Sequence, residues 1–202
     1  MSFRALMICG SLQAQSANRA ALAATRRYLE RIEGVVVREF EGLGELPILN
    51  PDEPEGNAAV ARLRKQIGES DGVLIASPEY GGAIAGGIKN ALDWIVGSGE
   101  LYGKPVVAIS AGTSGGWYAN QHLIQSLSWR GAIPVDRVGI AAPKTKMDAE
   151  GNFVDEQTIA ELERAAQRLL DSKSLPKAEI LARAREVVRE AGVEEVHLIA
   201  QE

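Results

Sequence analysis

Three short segments hold residues whose types and spacing suit ligand chemistry. The first is Gly10-Ser11-Leu12-Gln13-Ala14-Gln15-Ser16-Ala17-Asn18. It follows the apolar run Ala5 to Cys9 and opens an amphipathic stretch. At such a strand-to-helix junction, unpaired backbone N–H groups and the positive end of the helix face the same point, which suits an anion such as phosphate. Ser11, Ser16 and Asn18 add short side-chain donors, Gln13 and Gln15 add neutral amides, and Ala17 adds no bulk. A Walker loop needs Gly-x-x-x-x-Gly-Lys-Ser/Thr, and this segment has no such lysine. A dinucleotide loop needs Gly-x-Gly-x-x-Gly, and this segment has one glycine. Those nucleotide classes are therefore disfavoured. A Ser/Asn-rich turn in which Ser16 or Asn18 merely caps a helix is the alternative.

The second segment is Ser77-Pro78-Glu79-Tyr80-Gly81-Gly82-Ala83-Ile84-Ala85-Gly86-Gly87. Its glycines let backbone approach a flat ligand. N–H groups from Glu79 to Gly82 could bond the polar edge of a heterocycle, with Tyr80 covering a ring face or lining the rim. The third is Ser110-Ala111-Gly112-Thr113-Ser114-Gly115-Gly116-Trp117-Tyr118, again small residues before a helical stretch. Each also reads as an ordinary surface loop or tight turn when taken alone.

Other chemistries find little support. Cys9 sits in an apolar strand and reads as a core residue. His122 and His197 have no partner at metal-ligand spacing. The chain holds no Gly-x-Ser-x-Gly elbow for a serine hydrolase. Trp94, Trp117 and Trp129 lie at or near helices and read as core or interface residues, with Trp117 beside the glycine loop the exception to follow.

The elements that must position the three segments alternate along the chain. Strands are expected at Ala5 to Cys9, Val35 to Val37, Gly72 to Ser77, Pro105 to Ala111, and within Ile133 to Ala141. Helices are expected at 18–31, 58–70, 87–96, from the third segment to about Arg130, and at 156–170. Apolar strands separated by helices imply a parallel sheet covered on both faces. Five strands in this rhythm suit the flavodoxin-like arrangement, whose ligands bind beyond the carboxyl ends of the strands. The three segments follow strands one, three and four, so they converge on one edge. Gly42 to Gly56 reads as a loop. Beyond Pro176, Lys177 to Ala191 looks helical with a stripe of Ile180, Ala184, Val187 and Val188; Gly192 reads as its stop, and Val193 to Ile199 as a short strand or an arm. The expected division is 1–172 as the α/β domain and 173–202 as a C-terminal helix and tail.

With 202 residues, 46% hydrophobic and 24% charged, the chain is long enough for one well-filled domain. A net charge of −5 with no block of like charges argues against a nucleic-acid or anionic-membrane surface. No signal peptide and no run of the ~20 apolar residues needed to span a bilayer is expected. A single cysteine allows no internal disulfide and points to the cytoplasm.

Gly10-Ser11-Leu12 with Ser16 and Asn18, Pro78-Glu79-Tyr80 followed by Lys89-Asn90-Ala91-Leu92-Asp93-Trp94, and Ser110 to Gly116 together resemble the NADPH-dependent FMN reductase family, which includes quinone, azo and chromate reductases. The similarity covers roughly residues 4–172. It implies a flavodoxin-like fold, bound FMN, and NADPH or NADH as co-substrate. The flavin carries the chemistry, so no catalytic side chain is implied, and no metal. A small acceptor such as a quinone would be reduced, by a homodimer or homotetramer. Ser11, Gln13, Ser16, Ala17 and Asn18 would hold the phosphate. Pro78, Glu79, Tyr80 and Gly81 would lie along the flavin. Ser110, Gly112 and Gly115 would form the loop on its other side. The chain departs from the family pattern where Gln13 and Tyr118 replace arginines, which removes charge-assisted contacts. Two other readings fit the same fold: a flavodoxin-type one-electron carrier, and a non-catalytic interaction protein that has lost its cofactor.

Overall fold

The computed structural model describes residues 2–52 and 56–195. Its centre is a five-stranded parallel sheet in the order β2-β1-β3-β6-β7. The strands are β1 (Phe3–Cys9), β2 (Val35–Phe40), β3 (Gly72–Ala76), β6 (Pro105–Gly112) and β7 (Ile133–Ala141). The helices are α1 (Ala17–Leu29), α2 (Ala58–Glu69), α3 (Gly86–Trp94), α4 (Trp117–Ser128), α5 (Glu156–Asp171) and α6 (Lys177–Glu190). Strand order runs outward from β1 in both directions, which is the flavodoxin-like doubly wound fold.

The apolar runs explain the layers. Every residue of β3 is buried, as its central place requires. Its pleat sends alternate residues to opposite faces. Gly72 lies against Leu169 of α5, while Val73 and Ile75 share a cluster with Leu63 of α2 and Ile88 of α3. The helices thus cover both faces. β2 differs: it is an edge strand whose alternate residues Val36 and Arg38 are exposed, so Val35 to Val37 is an alternating strand rather than one apolar on both sides.

Helix starts are fixed by side chains. Ser16 is extended and its Oγ accepts the Asn18 N–H at 3.3 Å. Asn57 accepts the N–H groups of Ala59 and Val60, and Asp155 accepts that of Thr158. Each satisfies N–H groups that have no partner within the helix.

The second segment contains structure that sequence reasoning missed. β4 (Glu79–Tyr80) and β5 (Ala83–Ile84) form a small antiparallel hairpin. Gly81 and Gly82 both have positive φ, +59° and +72°, the conformation a two-residue hairpin turn demands and glycine adopts without strain. The Gly42 to Gly56 loop carries a 3-10 turn at Leu43–Glu45; its residues 53–55 lie outside the described set.

α6 covers the β7 edge of the sheet. It buries Leu181, Ala184, Val187 and Val188. Arg183 donates to the Arg168 carbonyl of α5 at 3.4 Å, and Gln121 of α4 donates to the Gly192 carbonyl at 3.4 Å. A helix this short is marginal alone in water. Burial of one Leu and two Val side chains, about 1.5–3 kcal/mol each, is what holds it. Val193 to Glu195 is not a strand, and the rest of the expected strand or arm, with His197, lies outside the described residues. No helix among the described residues is long and apolar enough to cross a membrane.

Candidate functional site

The loops after β1, β3 and β6 meet at one end of the sheet around a groove of about 730 Å³. Ser11, Gln13, Ser16, Ala17 and Asn18 line it from the first loop, Pro78, Glu79 and Tyr80 from the second, and Gly112 from the third. Ser110, Gly81 and Gly115 do not line it.

At the first loop, the Gln13 N–H donates to Ser11 Oγ at 3.3 Å, and Ser16 caps α1, so the N-terminal turn of the helix opens onto the groove. Asn18 is committed elsewhere. It is buried; its Nδ2 donates to the Ala111 carbonyl at 3.0 Å and its Oδ1 accepts the Ala111 N–H at 2.9 Å. The carboxamide therefore ties the first loop to the end of β6. Arg19 lines the groove, but its guanidinium bonds Glu39 at 3.0 Å, so it does not stand in for the arginine absent at Gln13.

Glu79 joins the second loop to the third. One carboxylate oxygen accepts the Ser114 hydroxyl at 3.2 Å and the other accepts the Ala119 N–H at 3.1 Å. That N–H belongs to the first turn of α4, whose cap residue, Gly116, has no side chain to bond it. The Glu79 carboxylate thus also meets the positive end of the helix. Ser110 is fully buried and its hydroxyl donates to the Ser77 carbonyl at 2.7 Å, locking the ends of β3 and β6 together. Ser77 Oγ accepts the Ala85 N–H at 3.0 Å, which sets the start of α3. Tyr80 stands at the hairpin tip, largely exposed.

A fourth wall was missed from the sequence. Pro143, Lys144, and Met147 to Gly151 line the groove from the loop after β7. The signal was present: in such a sheet ligands sit beyond the carboxyl ends of the strands, and the strand ending at Ala141 was expected. This loop contains no glycine pair to mark it in the sequence. Ala142, with φ +46°, is the non-glycine residue there that takes a left-handed conformation, and Thr145 closes the turn on its carbonyl.

Cys9 lies beneath the first loop. Burial pushes its thiol pKa up, and the thiol donates to the Ser11 carbonyl at 3.6 Å. It stays protonated and unreactive. Among the described residues, no group of three or more His, Cys, Asp or Glu side chains is placed to hold a metal ion.

The groove is lined by the N-terminus of α1 with its neutral donors and by the small residues Ala111 and Gly112, by Tyr80 of the hairpin, and by the charged Lys144, Asp148 and Glu150 of the fourth wall. These features fit a phosphorylated, planar cofactor such as FMN: N–H groups for its phosphate, and slots free of side-chain bulk for its ring.

The family model for NADPH-dependent FMN reductases matches residues 3–146. The chain belongs to this family. It is 32% identical over 174 residues to an NAD(P)H-dependent FMN reductase of Pseudomonas aeruginosa, covering 82% of this chain and 92% of that one. It is 33% identical over 174 residues to an NADPH:quinone oxidoreductase of Arabidopsis thaliana, covering 80% and 87%. Among solved structures it is similar to FerB, a flavoenzyme NAD(P)H:(acceptor) oxidoreductase from Paracoccus denitrificans, with TM-score 0.70, 27% identity, and 85% and 97% of the two chains covered. As a member of the family, the chain is an FMN-dependent NAD(P)H oxidoreductase.

Proposed function

We propose that this enzyme passes reducing equivalents from NAD(P)H to quinone-type acceptors at the groove. The observation that carries the reading is the convergence of the three loops on one cavity, lined by the start of α1 and by Glu79 and Tyr80 of the hairpin. Named relatives that act on quinones support the acceptor class.

FMN, when bound, supplies the hydride relay between donor and acceptor. The chain's own residues supply position and electrostatics. Ser11, Gln13, Ser16 and Ala17 would present neutral donors to the phosphate, and Asn18 holds that loop against Ala111. Pro78, Glu79 and Tyr80 would form one side of the ring slot and Gly112 the other; Gly81, at the hairpin turn, and Gly115, within the third loop, would act from behind the lining, with Ser110 bracing the strand ends. Donors placed along the pyrimidine edge of a bound flavin would favour the negative charge of its reduced form. Residues 1–172 would be the flavin-binding unit and 173–202 a C-terminal extension of the chain. The family resemblance supports a homo-oligomer, and a lone, buried cysteine supports a cytoplasmic setting.

Anaerobic stopped-flow reduction with NADPH and with NADH, followed by mixing with benzoquinones, naphthoquinones and chromate, tests the reading. Bound flavin should bleach with the nicotinamide donor and recover its colour fastest with a quinone. No flavin bound at saturating FMN, or no reoxidation by any quinone, overturns it.

A further inference from the structure

We propose that Arg137 is a positioning residue for the flavin site, and that through it the C-terminal helix α6 holds the third loop in shape. The matched family region ends at residue 146, so α6 lies wholly outside it. The inference rests on the groove being the FMN site.

The contacts form a chain. Arg137 lies on β7, and its guanidinium sits over the Trp117 ring at 5.2 Å. Its terminal nitrogen donates to the Glu190 carbonyl at 3.2 Å and lies 3.7 Å from the Glu190 carboxylate. Its Nε is buried with no hydrogen-bond partner, so the group is held by its stack and by α6 rather than by solvent. Gln121, one turn along α4, reaches the Gly192 carbonyl just past α6. Two bridges therefore run from the end of α6 to the start of α4.

Trp117 is the first residue of α4 and the anchor that ends the third loop. Before it, Gly115 and Gly116 both have positive φ, and no side chain caps the helix. Those glycines set no preference of their own, because glycine takes either sign of φ readily. The middle of the loop is held by the Gly115 N–H on the Gly112 carbonyl at 3.1 Å, the Ser114–Ala141 bridge and the Ser114–Glu79 bond, and its exit into α4 is set at Trp117. Glu79 bonds the same helix start, so a loosened Trp117 also loosens the second loop. A planar guanidinium over an indole face is a contact that glutamine cannot reproduce, and that lysine reproduces only as a point charge.

The test is FMN titration of the apo form of full-length protein, followed by flavin fluorescence, beside acrylamide quenching of tryptophan emission without flavin. Arg137→Gln and Trp117→Ala should each weaken FMN binding about fivefold, the double variant no more than either alone, and Trp117→Phe should stay near wild type. Arg137→Gln should also raise tryptophan quenching in the flavin-free protein. Additive losses, or an unchanged dissociation constant in Arg137→Gln, overturn the proposal. Should Arg137→Gln not fold, Arg137→Lys carries the same criteria. Wild-type protein that binds no FMN would sink the flavin reading itself, whereas tight wild-type binding that is indifferent to Arg137 sinks only this one.

Discussion

Asn18 shows how much one side chain can be asked to do. By type and place it reads as a phosphate donor, yet its carboxamide satisfies both polar groups of Ala111, 93 residues away. Truncation leaves a buried N–H and a buried C=O unpaired, each costing about 1–3 kcal/mol. Asn18→Ala is therefore expected to lose about 2–4 kcal/mol in urea denaturation. Asn18→Asp keeps the size and the acceptor but loses the donor, and it should also be destabilised. A loss below about 0.5 kcal/mol in Asn18→Ala, the scatter of ordinary surface changes, would refute this account. Sequence pattern placed Ser11, Gln13, Ser16 and Ala17 at the groove because loop position alone decides that. It could not see Asn18's partner, which only the pairing order of β1, β3 and β6 brings within reach.

Loops and caps govern the element scale. A Cβ built on Gly116 would lie 2.0 Å from Ser110 Oγ, and φ there is +65°. Gly116→Ala thus combines a clash with left-handed strain of about 1–3 kcal/mol, and it should lower Tm by several degrees and weaken FMN binding. An unchanged Tm by circular dichroism would contradict the geometry. At the start of α5, the Thr158 hydroxyl and then its N–H bond Asp155 and hold its carboxyl below the usual range. Because the folded pKa is lowered, its stabilisation is present above the unfolded value of about 4 and is lost as pH falls through the folded one. Asp155→Ala should therefore lower Tm at pH 7, and the gap from wild type should close as pH falls below about 4; a gap constant with pH would rule this out. The helices were legible from their periodicity to within a residue or two. The Glu79–Ile84 hairpin was not, since two-residue strands carry no period, although the Gly81-Gly82 pair was its sequence sign.

For the whole molecule, the question is whether α6 is part of one cooperative unit. Leu181, on the buried face of α6, is 5% exposed. Leu181→Ala should lower global stability by about 2–5 kcal/mol with a single thermal transition. A separate early transition, with the main one unmoved, would show α6 to be an independent appendage. Here the division between sequence and structure is clearest. Local sequence determined the alternation of apolar strands and amphipathic helices, because periodicity follows from near neighbours, and that alternation implies a doubly wound parallel sheet with a ligand at the carboxyl ends of its strands. It also carried the resemblance in Gly10 to Asn18, Pro78 to Tyr80 and Ser110 to Gly116. Tertiary structure alone decided which of those residues face the groove and which brace it. Ser110, Asn18 and Glu79 have partners 33, 93 and 40 residues distant. The placement of α6 on β7, the loop from Pro143 to Gly151, and the Arg137–Trp117 stack likewise depend on contacts between distant segments, which no local pattern encodes.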